Sequence, residues 1–172
     1  MTLNLPRTAA MIVAAVTALA GLVMAGPAQA GTTDGHHHLR PEVFTLFMSS
    51  NVPQGDVNAF GPVHGRHGTD TQVSDTLDVF NFRAGSVNVY HSPPPTSAPK
   101  IDYRACTATQ FQKGHWRFAG GTGKYRHAIG WGHFKLKFFA VLKRVNHKCD
   151  TNPNHEPKYF QVVVIASGVA AR

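Results

Sequence analysis

Residues 118–134, FAGGTGKYRHAIGWGHF, combine glycines with Lys124 in the manner of a loop that cradles a phosphate. A loop of the G-x-x-x-x-G-K-[ST] kind needs a first glycine to open its turn and a final hydroxyl to hold magnesium. Here Phe118 occupies the first position and Tyr125 the last, and no helical segment follows to aim its N-terminus at an anion. Nucleotide binding is not expected. Gly120, Gly121, Thr122 and Gly123 read instead as a structural loop, a sharp turn between two strands, with Tyr125 packing back as an aromatic plug.

Imidazole is the other conspicuous chemistry. His36, His37 and His38 could coordinate zinc or copper, but consecutive residues in a polar leader do not make a closed site. His64 and His67 lie three apart in HGRHG, with no third donor in view. No metal and no cofactor is expected. A G-x-S-x-G elbow is missing, as is a close carboxylate pair of the glycosidase kind, so no catalytic residue can be named. The segment HFKLKFFAVLKR interleaves lysines with aromatics, but strand alternation sends most of the aromatics to a core and the lysines to water. Specific nucleic-acid binding is not expected.

The elements that position these residues begin after a leader. Residues 1–30 carry one charge, Arg7, then an apolar run and a small-residue site, Ala28-Gln29-Ala30. This pattern predicts a secretory signal peptide cleaved after Ala30, hence a secreted, extracellular protein. Residues 31–41 read as a flexible His-rich lead-in, and a single domain is expected over 42–172. Cys106 and Cys149 are the only cysteines; an even count in an oxidising compartment predicts one disulfide between them. Charge is uneven: residues 31–99 hold three Lys or Arg against six Asp or Glu, and residues 100–172 hold thirteen against three. Such a basic half could hold an anionic cell-envelope polymer, or simply keep a secreted protein soluble.

From Glu42 onward the sequence shows strand signals and no helix. VFTLFMS alternates Phe44, Leu46 and Met48 with more polar positions, and TLDVFNF and SVNVYHS flank a hairpin turn at Arg83-Ala84-Gly85. HSPPPTSAPK breaks regular structure. TATQFQKGHWRF, WGHFKLKFFAVLK and KYFQVVVIASGV are longer strands; the second places Phe134, Leu136, Phe138, Ala140 and Leu142 on one face and His133, Lys135, Lys137 and Lys143 on the other. Short strands separated by Gly, Pro and Asn turns predict an all-β barrel or sandwich.

GGTGKYRHAIGWG, together with the earlier GTDTQVSDTLDVFNFRAGSVNVYHS, resembles the dirigent and allene oxide cyclase superfamily in its secreted bacterial members. The resemblance covers most of residues 55–170 and implies an antiparallel eight-stranded β-barrel that confines a molecule, with homo-oligomers common. It singles out Asp75 and Asp78, which sit in the matching segment, as ligand-binding candidates, and Tyr103, Arg104 and Tyr125 join them. Asp75 and Asp78 could equally cap a turn. The expected function is therefore binding of an apolar or aromatic small molecule inside the barrel. Guidance of a stereoselective cyclisation or coupling, and a basic envelope-associated interaction, are the alternatives.

Overall fold

The structure, a computed structural model, describes residues 38–93 and 97–172. The expected signal peptide, most of the His-rich lead-in and part of the proline cluster lie outside the described residues. Eleven strands follow in order: β1 (Arg40–Ser49), β2 (Val52–Phe60), β3 (Gly65–Ser74), β4 (Leu77–Phe82), β5 (Gly85–His91), β6 (Lys100–Asp102), β7 (Thr107–Gly121), β8 (Ile129–Val141), β9 (Arg144–Val145), β10 (Lys148–Cys149) and β11 (Tyr159–Ala171). No α-helix occurs among the described residues.

Every pairing is antiparallel, and the sheet runs β5-β4-β3-β2-β1-β11-β8-β7-β6. A further pairing of β5 with β7 joins the two sides, so eight strands close into a barrel with the short β6 lying outside the ring. Closure removes the free edges that would otherwise template aggregation. The all-β, eight-stranded barrel expected from the sequence is the fold observed.

Alternation assigns the faces. On β8, Phe134 and Ala140 are buried, Leu136 and Phe138 half-buried, and His133, Lys135 and Lys137 exposed. β1 turns Phe44 and Leu46 inward in the same way. Strands β2 and β3 have no counterpart among the sequence-based expectations. Their inward positions include Gly55, Val57, Ala59 and Gly68, small residues that give little hydrophobic contrast, and ring closure makes them strands regardless.

Register defines two ends. One is closed. Phe44 meets Phe80 and Trp116 edge to face, with centroids 5.2 and 5.1 Å apart, and Trp116 lies 4.7 Å from Phe118. Tyr125 is fully buried beside them, as the plug reading expects, and its hydroxyl donates to the His64 carbonyl at 2.6 Å. The glycine loop docks on the β4–β5 turn: Lys124 N–H donates to the Ala84 carbonyl (3.0 Å) and Thr122 N–H to the Ser86 carbonyl (2.9 Å). Gly123 sits at φ 55° and a Cβ there would strike the Ala84 carbonyl, so the position requires glycine.

At the other end Cys106 and Cys149 form the expected disulfide, with Cα atoms 5.4 Å apart. It ties the entry of β7 to the β9–β10 hairpin, whose turn residues Asn146 and His147 both adopt positive φ, 50° and 64°, matching the twist of a tight hairpin. Closing a loop across 43 residues stabilises the fold by about 4 kcal/mol in the chain-entropy description.

Candidate functional site

The open end is built from strands whose inward positions change character partway along. On β3, β4 and β5 the inward rows pair Asp70 with Phe80, Gln72 with Asp78, and Asp78 with Val89; on β5, His91 pairs with the buried Trp116 of β7. Aromatic core therefore gives way to Asp70, Asp78 and His91. Across the barrel the inward residues remain apolar: Leu136 and Phe138 on β8, and their cross-strand partners Val164 and Val162 on β11, all half-buried.

The three polar side chains form one cluster. His91 Nε2 stands 3.2 Å from Asp78 Oδ2, close enough to form an ion pair when the imidazole is protonated. His91 Nδ1 donates to the Ser92 carbonyl at 2.8 Å, and the ring meets Phe134 edge-on at 6.4 Å. The Asp78 carboxylate holds His91 above the ordinary histidine range, against the opposing effect of burial. Asp70 is pushed up to about 7, first by burial and then by the neighbouring Asp78 charge, with His91 pulling the other way. Its Oδ1 is buried and has no hydrogen-bond partner in the protein.

The cluster thus holds an imidazole whose protonated form is favoured by the neighbouring carboxylate, and in Asp70 a second carboxyl poised near neutral pH to give or take a proton. The side chains of His91 and Asp78 are 20% and 18% exposed, so both keep some contact with solvent.

Of the sequence-based candidates, only Asp78 belongs to this cluster. Asp75 lies in the exposed β3–β4 turn. Tyr103 is 68% exposed, outside the barrel, and Arg104 sits beside it, its carbonyl accepting from Arg144 Nη2 at 2.8 Å. Tyr125 fills the closed end. Asp70 and His91 were not singled out from the sequence. Their signal is parity: Asp70 continues the inward row of Gly68, and His91 that of Val87 and Val89.

The spacing of Asp70, Asp78 and His91 does not make a metal-binding set, and among the described residues no other three His, Cys, Asp or Glu side chains make one. Glu42 is also fully buried, at the closed end. One of its carboxylate oxygens accepts the Val63 N–H at 3.0 Å, and burial raises its pKa to about 7 despite that bond. Two hollows open on the outside of the molecule, one of about 480 Å³ over β7 and β8 and one of about 630 Å³ beside Arg40, Pro62 and Arg172. Comparison with family models, curated proteins and solved structures finds no match to this chain.

Proposed function

We propose that this protein binds a small apolar or aromatic molecule carrying one polar group, seated in the open end of the barrel. The observation that carries the reading is the convergence of Asp70, Asp78 and His91 on an interior whose opposite wall is half-buried and apolar. The polar group meets Asp70, whose unpartnered oxygen otherwise has no compensation for its burial. The sequence resemblance to dirigent and allene oxide cyclase barrels points the same way, toward a protein that acts by confinement. Secretion after cleavage at Ala30 belongs to the same proposal, and would place the ligand outside the cell.

A second reading is enzymatic. Asp70, with a pKa near neutrality, can donate a proton to a carbonyl or ether oxygen of the bound molecule while the Asp78–His91 pair accepts one elsewhere, assisting a cyclisation. Native mass spectrometry of the protein secreted by its own host, followed by extraction, tests the binding reading. A stoichiometric small molecule, released by substitutions at the open end, is the expected result. A clean apo mass, together with failure of secreted small molecules to bind on addition, would overturn it.

A further inference from the structure

The outer surface of β7 and β8 carries a pattern that the barrel does not need. From Tyr103 to Cys149 the chain has ten Lys and Arg and no Asp or Glu. The register stacks the outward members of this segment in rows: Arg117 beside Trp131, His115 beside His133, Lys113 beside Lys135, and Phe111 beside Lys137. Like charges directly across a strand pair destabilise a sheet, so the Lys113–Lys135 row costs stability without an anion to answer it. The His115 and His133 rings lie 4.6 Å apart. The hollow of about 480 Å³ opens over these two central rows, with Ser92, Ile165 and Ser167 completing its rim.

Cations dominate the rows, so the hollow repels a metal ion and attracts an anion. At both ends of the cationic rows stands an exposed aromatic ring: Trp131 is 54% and Phe111 69% exposed. The sequence pattern sends most aromatics of HFKLKFFAVLKR to the core, a segment that includes neither Phe111 nor Trp131. Trp131 and Phe111 instead share the outer face with the lysines. Outward rows on a strand repeat about every 7 Å, so the wall presents in turn Trp131 beside Arg117, the imidazole pair, the lysine pair, and Phe111 beside Lys137, whose ammonium lies 5.8 Å from the Phe111 ring centroid.

A featureless polyanion would use only the middle of this ladder. We infer that the outer wall of β7 and β8 binds single-stranded nucleic acid without sequence preference, with phosphates over Lys113, His115, His133 and Lys135 and bases stacked on Trp131 and Phe111. This is the pairing of basic groove and stacking platform by which single strands are held. It is independent of the site inside the barrel.

Fluorescence anisotropy with labelled dT12 tests the assignment, with retention on heparin as a polyanion that lacks bases. Wild-type protein should bind dT12 at low salt and lose affinity steeply as salt rises. The double variant K113E/K135E should abolish binding, and the milder K113Q/K135Q should weaken it, with thermal unfolding recorded on the same samples to confirm the fold. Trp131→Ala should weaken dT12 binding by about fivefold or more while leaving heparin retention unchanged. No binding of dT12 at low salt would overturn the proposal. So would folded lysine variants that bind like wild type, or dT12 binding that ignores Trp131.

Discussion

The two ends of the barrel each hold a carboxyl group whose pKa is raised to about 7, and in both the first cause is burial. Their settings differ. Glu42 is sealed in: one carboxylate oxygen accepts the Val63 N–H, the other is buried without a partner as Asp70 Oδ1 is, and the loop that Tyr125 helps to lock covers it. Asp70 has a second carboxylate and an imidazole for neighbours and faces half-buried apolar wall rather than packed core. A raised pKa by itself therefore marks burial. Convergent ionisable neighbours and solvent access distinguish a site from a structural acid.

The largest expected effect probes the claim that one end is packed and the other is not. Tyr125→Ala should cost about 4 kcal/mol and lower Tm by more than about 10 °C, as for other buried aromatics. Val162→Ala, at the half-buried open end, should cost about 1 kcal/mol. Equal losses in thermal unfolding would erase the distinction between the ends.

Removing the disulfide with Cys106→Ser and Cys149→Ser should lower stability by about 2–4 kcal/mol. It acts on the rim of the open end. Hydrogen exchange should therefore accelerate most in β6, β9 and β10, and least around Tyr125. Uniform acceleration would mean that the two ends unfold as one.

The smallest effect, and the sharpest discriminator, is the response to pH. Asp70 and Glu42 bind protons more tightly folded than unfolded, so stability falls as pH rises from their ordinary range near 4 to their folded value of about 7. His91 is also raised when folded, and its contribution is full below the ordinary histidine value and lost as pH rises through the folded one. All three shifts carry the same sign: Tm should be higher at pH 5.5 than at pH 8. Asp70→Asn and Glu42→Gln should each flatten that slope and raise Tm at pH 8 by about 3 °C. Only Asp70→Asn should alter ligand binding. A slope that is flat in the wild type, or that neither substitution reduces, would contradict these protonation states, while the part owed to His91 remains in both variants.

How much of this was legible in the sequence differs by element. β8 could be read because its alternation is strict, and the glycine loop because its spacing fails the phosphate pattern while its turn residues remain. β2 and β3 could not, since their inward glycines and alanine give no contrast. Irregularities in register between Phe47 and Ser49, between Val57 and Ala59, and between Gln72 and Ser74 further break the period from which faces are read. Asp70 and His91 escaped for a related reason. A polar residue on an apolar row becomes visible only once the row's partners are known, and the closing pair, β5 with β7, joins segments far apart in the chain. Asp78 was singled out within the resembling segment GTDTQVSDTLDVFNFRAGSVNVYHS, which also holds Asp70 and His91, but the segment does not show that His91, thirteen positions on, is the partner of Asp78.

The open end is tested most directly by titrating a neutral aromatic probe, N-phenyl-1-naphthylamine, against the wild type, Val162→Trp and Glu42→Gln, with near-ultraviolet circular dichroism to confirm each fold. Saturable one-to-one binding is expected in the wild type and in Glu42→Gln, and its loss in Val162→Trp, where the indole fills the mouth. Wild-type protein that shows no saturable binding, or a folded Val162→Trp variant that binds unchanged, would contradict a ligand site at the open end of the barrel.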